Sequence, residues 1–224
     1  MGANASTAVP LYAAGEVLDA ARLNLTNSGI PVFATSTTRD AAFGGTGEKT
    51  LAEGQFAYLE STNATQYYDG AAWQSLGAPV QIVSTITGAV ATGTTIMPLD
   101  DTIPQNTEGD QYMSLAITPT SATNKLVIEV TAVCSNTVAN TKNLALFQDT
   151  TANALAAVSE YNGVGTGTDT MSLNYVMAAG TTSSTTFKVR IGSADGTITF
   201  NGFGGARKLG GVYASSIIIT EYPQ

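Results

Sequence analysis

Apolar and polar residues alternate along much of the chain, which is the pattern of strands with one buried face. In "KLVIEVTAVCS" the alternation places five residues on one face, namely Leu126, Ile128, Val130, Ala132 and Cys134. In the same way, "TFKVRIG" buries Phe187, Val189 and Ile191. Roughly ten such runs, separated by small polar residues, lie between residues 79 and 224, and their spacing predicts an antiparallel β-sandwich of the jelly-roll type.

The segment 37–78 predicts a small β-meander. "GQFAYLES", "TQYY" and "AAWQSL" are three short strand-like runs, and the polar "TNAT" separates the first two. Asp69 and Gly70 separate the second and third runs, and an Asp-Gly pair favours a two-residue type I′ turn. We therefore expect these runs to form hairpins.

The aromatic residues of this segment have two interpretations. Flat rings with polar tips suit a sugar-stacking platform, but alternation puts Tyr67 and Tyr68 on opposite faces, so only one of them can share a face with Trp73. The favoured interpretation is rings that pack within a small sheet. The residues assigned to this neck hairpin are Tyr58, Tyr68, Asp69, Gly70 and Trp73.

Residues 1–36 predict an extended arm with one short helix. Apolar residues in "GEVLDAARLNLT" recur near the helical period, and Pro10 and Pro31 favour extended backbone on either side. The segment is too short and too apolar to fold alone, so we expect it to dock onto a partner. The expected docking residues are Val17, Leu18, Leu23, Val32 and Phe33. The prediction is therefore an all-β chain with an arm (1–36), a neck (37–78) and a sandwich (79–224).

Charge and composition exclude several classes of partner. The net charge is -8, from nine basic and seventeen acidic residues, which disfavours a protein that binds nucleic acid by neutralising phosphates. We find no run of eighteen apolar residues and no signal-peptide pattern, so we expect no membrane insertion. Charged residues make up only 12% of the chain, below the roughly 25% of ordinary globular proteins.

The residue types present leave little scope for catalysis. The chain has no histidine and one cysteine, which removes His-dependent nucleophile schemes, ordinary zinc sites and internal disulfides. Cys134 lies on the apolar face of its strand, so we interpret it as a small buried hydrophobe, with a reactive thiol as the alternative. We predict no catalytic residues and no cofactor.

One acidic cluster could still bind a metal or cleave a glycan. "LDDTIPQNTEGDQY" could supply oxygen ligands for calcium or the paired carboxylates of a glycosidase. Its spacing matches no EF-hand loop, so a solvated acidic loop is the favoured interpretation. The carboxylates concerned are Asp100, Asp101, Glu108 and Asp110.

Several stretches resemble virion proteins of bacteriophages, namely tail-fibre, minor structural and capsid-decoration proteins. The "TRDAAF" stretch and the "QYYDGAAW" stretch resemble a segment of such chains, and "AAGEVLDAARLN" resembles their pattern G-x-V-L-x-A-x-x-L-N. The C-terminal "EGDQYMSLAITPTSATNKLVIE" and "GGVYASSIIITEY" are similar to fibre-tip domains with a trimeric jelly roll like that of tumour necrosis factor. The insertion "GGTGEKT" at 44–50 departs from the tighter form expected there.

This resemblance implies a homotrimer on the virion surface, synthesised in the bacterial cytoplasm. The arm would bind other virion proteins, and the trimeric domain would project as a short tail fibre whose loops meet a host surface glycan or protein. A capsid decoration protein is the alternative. An enzyme that depolymerises host glycans is a more remote one, since no clear carboxylate motif is present.

Overall fold

The computed structural model describes residues 14–17, 29–46, 48–76, 79–163 and 167–223. The chain divides into two compact units, Met1–Ala78 and Pro79–Gln224. Both are built from β-strands, and the prediction of an all-β chain is confirmed. The helix expected within "GEVLDAARLNLT" falls mostly outside the described residues.

The first unit holds a four-stranded sheet in the order β1-β2-β3-β4. These strands are β1 (Val32–Phe33), β2 (Phe56–Leu59), β3 (Ala64–Tyr68) and β4 (Trp73–Ser75). The predicted meander β2-β3-β4 is present, with antiparallel pairing throughout. β1 joins β2 in parallel, so the pair Val32 and Phe33, which the sequence places in the arm, belongs to this sheet.

A short helix, α1 (Ser36–Asp40), follows β1. It begins at a capping box, in which the Thr35 hydroxyl accepts from the Thr38 N–H and the Thr38 hydroxyl accepts from the Thr35 N–H. The helix contacts β1 and β2. The small core of this unit consists of Phe33, Ala42, Ala57 and Leu59, with Phe43 and Trp73 packed against it.

The type I′ turn predicted at Asp69-Gly70 is wrong. Tyr68 pairs with Trp73, so four residues form the connection rather than two. Gly70 has a positive φ of 96°, but Asp69 does not, and its carboxylate instead accepts hydrogen bonds from the N–H groups of Ala71 and Ala72 at 2.9 and 2.7 Å. The Asp side chain therefore closes the loop by an Asx-type bond, which a dipeptide rule does not include.

The second unit contains two larger sheets. Its long strands are β5 (Gln81–Thr87), β7 (Asp110–Ile117), β8 (Lys125–Asn136), β9 (Thr141–Gln148), β10 (Ala156–Tyr161), β11 (Thr168–Ala178), β12 (Thr185–Ser193) and β16 (Ser215–Tyr222). Shorter strands are β6 (Ala91–Gly93), β13 (Ile198–Phe200), β14 (Gly202–Phe203) and β15 (Ala206–Arg207). A 3-10 turn covers Leu209–Gly211.

The pairing of the eight long strands is that of a jelly roll. Counted in chain order, the first pairs with the eighth, the second with the seventh, the third with the sixth and the fourth with the fifth, always antiparallel. One sheet has the order β5-β16-β8-β11, and the other has the order β10-β9-β12-β7. Nested pairs of this kind are what a long hairpin makes when it wraps into two sheets.

The core lies between these sheets and follows the predicted alternation. Leu126, Ile128, Val130, Ala132 and Cys134 are buried on β8, and Phe187, Val189 and Ile191 are buried on β12. The strand expected at "TTIMPL" is absent from the described structure, because Met97 packs with Ala145 and Phe147 from a loop and Pro98 has no N–H to donate to a ladder.

Candidate association surface

The solvent-facing side of the sheet β5-β16-β8-β11 carries a row of apolar side chains. Ile82 on β5 pairs with Thr220 on β16, Thr220 pairs with Val127 on β8, and Val127 pairs with Val176 on β11. Residues in register on one face are neighbours, so these four side chains form one stripe across the sheet. On the same face, Ile218 lies in the adjoining row and Ile86 lies in the row after that. We call Ile82, Ile86, Val127, Val176 and Ile218 the apolar sheet face.

Three of these side chains are largely exposed. The exposed fraction is 59% for Ile82, 71% for Ile86 and 53% for Val176. The positions around them hold mainly Ser, Thr, Asn and Ala, and among the outward positions of these four described strands the charged residues are Lys125 and Glu129. An apolar stripe with so little charge is typical of a surface that another protein covers.

The opposite sheet presents a different face. Ala145 and Phe147 on β9 are covered by Met97 and Ala154, so its centre is already buried by the chain's own loops. Lys188 donates to the Asp149 carbonyl at 2.6 Å, and Arg190 donates to the carbonyls of Glu108 and Gly109 at 2.8 and 2.6 Å. This face is covered and carries positive charge, which makes it the poorer candidate for apolar association.

A buried carboxylate, that of Glu221, stabilises one end of the apolar sheet face. Glu221 on β16 accepts hydrogen bonds from the Gln81 side chain on β5 at 2.5 Å, from the Asn124 side chain at 2.6 Å and from the N–H and hydroxyl of Thr120 at 2.8 and 2.9 Å. Burial raises the pKa of Glu221, but these hydrogen bonds outweigh burial and hold it below its ordinary value. The network fixes the edge strand β5, and therefore Ile82, relative to β8.

The acidic cluster is distributed along a loop, and its carboxylates bond locally. Asp100 accepts from the hydroxyl and N–H of Thr102, which lower its pKa, while Glu108 accepts from the Gln105 N–H and Asp110 from Thr95. Asp100 and Asp101, together with Ala154–Ala157, line an open groove of about 410 Å³. Within the described residues, no three His, Cys, Asp or Glu side chains are placed to hold a metal ion.

The predicted hairpin residues meet around Trp73. Its ring packs against Tyr68, with ring centroids 5.6 Å apart, and against Phe43 at 5.9 Å. The Arg39 guanidinium lies 4.5 Å from the centre of the Trp73 ring and also binds Asp40 and Gln66. These contacts cover the ring with the protein's own side chains, so Arg39, Tyr68 and Trp73 form a structural cluster.

The remaining hairpin residues play local roles. Backbone N–H groups of Ala72 and Ala71 and the side chain of Gln74 lower the pKa of Asp69, which keeps its carboxylate charged as the acceptor that closes the loop. Tyr58 donates to the Asn63 side chain at the end of the β2-β3 hairpin. These two residues stabilise turns.

The structure describes three of the five docking residues predicted in the arm. Val17 is 89% exposed, whereas Leu18 and Leu23 lie outside the described residues. Val32 is half-buried in β1 and Phe33 is buried in the core of the first unit. Any experiment on the arm must therefore leave β1 intact.

Cys134 is buried, as predicted, and burial raises the pKa of its thiol to about 12. The thiol is therefore neutral and shielded at physiological pH. In the part of the chain that the structure describes, no helix has the length and apolar character to cross a membrane.

Sequence reasoning identified the buried faces of these strands and missed the apolar sheet face. The signal was present in "VQIVSTIT" and "SSIIITEY", where valine and isoleucine together occupy both faces of the first strand and isoleucine alone occupies both faces of the second. A strand that is apolar on both sides is covered on both sides. One side is covered by the core here, which leaves the other for a partner.

Comparison with known proteins gives no family. The sequence matches no protein-family model and no curated protein. It is similar to the enzymatically active domain of tailspike protein 4 from bacteriophage CBA120, at 16% identity over 55% of this chain and 19% of that chain, with a TM-score of 0.26. It is also similar to the structure of infectious bursal disease virus Gt strain, at 15% identity over 71% of this chain and 44% of that chain, with a TM-score of 0.32. A third similar structure is the VP2 subviral particle of infectious bursal disease virus, at 13% identity over 69% of this chain and 40% of that chain, with a TM-score of 0.28. The chain spans less than half the length of each. TM-scores this low carry no argument, so the fold assignment depends on the strand pairing.

Proposed function

We propose that this chain is a non-enzymatic structural protein on the surface of a tailed-bacteriophage virion, where it acts as a short tail fibre that binds a host surface glycan or protein. The resemblance of the "TRDAAF", "QYYDGAAW" and C-terminal stretches to phage virion proteins supports this role. The observation that carries the proposal is the apolar sheet face on a jelly-roll unit, because it supplies the self-association surface that a projecting fibre tip requires.

The proposed assembly is a homotrimer that packs through the apolar sheet face. Ile82, Ile86 and Val176 are largely exposed on one face of a single sheet, and closed symmetric packing covers such a surface without creating open-ended filaments. Three copies are proposed because the C-terminal stretches resemble trimeric fibre-tip domains. Native mass spectrometry of the full chain tests this, and a stable monomer at micromolar concentration would contradict both the assembly and the proposed role.

A particle experiment tests the location. Gold-labelled antibody against the second unit, imaged on intact particles, should mark the tail. Labelling of the shell would favour a capsid decoration protein instead. Removal of residues 1–28, which leaves β1 and Phe33 in place, should produce a folded protein that no longer joins particles. Incorporation of that truncated protein would show that the N-terminal segment is not the anchor.

A further inference from the structure

A lysine and an aspartate meet inside the jelly roll, at one end of its core. Lys142 belongs to β9 and lies on the same side of that strand as the core residues Leu144 and Leu146. Asp169 belongs to β11, in the opposite sheet, and lies on the same side as the core residue Met171. The Lys142 Nζ atom contacts Oδ2 of Asp169, so the pair bridges the two sheets from within.

The ion pair is buried and has little support from hydrogen bonds. The Lys142 side chain is 1% exposed, and its Nζ makes no hydrogen bond of ordinary geometry to any residue that the structure describes. A buried ammonium normally requires several hydrogen bonds to offset the loss of water. Among the described residues, the amine is thus held against a carboxyl group without the hydrogen-bond partners that would stabilise it as a cation.

We propose that Lys142 and Asp169 form an intramolecular isopeptide bond that covalently joins the two sheets of the jelly roll. A proton passes from the Lys142 ammonium to the Asp169 carboxylate, which gives a neutral amine and a carboxylic acid. The Nζ lone pair then attacks Cγ of Asp169, a C–O bond breaks, and one water leaves with the displaced oxygen and two protons. The products are an amide and water, and no oxidant, reductant or external reagent takes part.

The surroundings suit this reaction in three ways. The fold already holds nucleophile and electrophile in contact, and such placement is equivalent to an effective concentration of roughly 10⁵–10⁸ M in well-oriented reactions. Asn162 donates from Nδ2 to both Asp169 carboxyl oxygens, at 3.2 and 3.3 Å, where it can stabilise negative charge as it develops on oxygen. The Asp169 side chain remains 17% exposed, which gives the departing water a route to solvent.

The neighbouring Cys134 thiol does not compete with the Lys142 amine as the nucleophile. It pairs in register with Asp169 on the adjacent strand, and its buried thiol stays protonated and therefore weakly nucleophilic. The amide would also remove both buried charges from the core. A covalent connection between the sheets would make the unit resist mechanical and thermal opening, which is useful in any exposed assembly.

Intact-mass spectrometry of the denatured full chain tests the bond. The measured mass should fall below the sequence mass by one water. Because an Asp-Gly site such as Asp69-Gly70 can also lose water, a digest must locate the change. Trypsin together with a protease that cuts after glutamate should leave fragments 130–160 and 161–188 joined, because Lys142 is blocked and the new amide crosses the Glu160 cleavage site.

The Lys142→Arg variant keeps the positive charge but cannot form the amide, so it should show its full sequence mass and separate fragments. Lys188→Arg, on a half-buried lysine of β12 that points away from the core, is the matched control and should retain the joined pair. The full sequence mass in the unmodified chain would overturn the proposal. So would loss of water with separate fragments, or loss of ammonia, which would indicate Asn162 as the acceptor.

Discussion

The substitution Ile86→Asp should dissociate the proposed trimer while the jelly roll stays folded. Ile86 lies on β5 and points away from the core, in a row with Ser216, Thr131 and Ser172. No core contact is lost when its side chain is replaced. A carboxylate at this position would be solvated in the monomer and buried without a counter-charge in the assembly.

The expected size of the effect follows from the exposure of Ile86. Complete burial of an isoleucine side chain contributes about 1.5–3 kcal/mol, and 71% of this side chain remains to be buried, so each copy loses roughly 1–2 kcal/mol of apolar stabilisation. Three copies lose roughly 3–6 kcal/mol before the burial of charge is counted. At about 1.4 kcal/mol per tenfold change, the association constant should fall by at least ~10²–10⁴.

Light scattering coupled to size-exclusion chromatography, over a dilution series, measures this change. Leu99→Asp is the matched control, because Leu99 is 65% exposed but lies in a loop away from the apolar sheet face. The control should behave as the unmodified chain. A trimer that survives Ile86→Asp, or that dissociates equally with Leu99→Asp, would refute the assignment of this face.

Two further substitutions test the contacts that hold each unit. Glu221→Gln should destabilise the second unit by about 1–3 kcal/mol at neutral pH, because it removes a carboxylate that accepts charge-assisted hydrogen bonds. Because the pKa of Glu221 is lowered in the folded state, its contribution to stability is present above the ordinary pKa of 4.5 and is lost as the pH falls below that value. The free energies of unfolding of the two proteins, measured by urea denaturation, should therefore converge in acid. A difference that stays constant with pH would contradict this. Arg39→Met should destabilise the first unit by about 1–3 kcal/mol, through loss of the Asp40 ion pair and the contact with Trp73. The fluorescence of Trp73, the chain's one tryptophan, reports this unfolding, and Arg207→Lys at an exposed position is the control. If Arg39→Met unfolds at the same urea concentration as this control, the contacts of Arg39 do not stabilise the first unit.

The strands could be predicted from sequence because alternation is a local property. The faces of β8 and β12 follow directly from their period-two pattern, since successive side chains point to opposite sides. Pairing is not local: β5 and β16 meet although most of the second unit separates them in the chain. The two-residue β1 was missed for a related reason, because Val32 and Phe33 are too few to form a pattern and become a strand only by pairing with β2.

Lys142 is a candidate site residue that the sequence did not reveal, because the predicted boundary of its strand was two residues too late. "NLALFQD" predicts a strand that begins at residue 143, which leaves Lys142 in a polar connection where a lysine would be solvated. The strand begins at Thr141 instead, and this extension places Lys142 in the same inward series as Leu144 and Leu146. Its partner Asp169 follows the Gly-rich "NGVGTGT" and lies just inside β11. Both charges therefore look like loop residues in the sequence and become core residues only because the two strands extend further than their apolar runs.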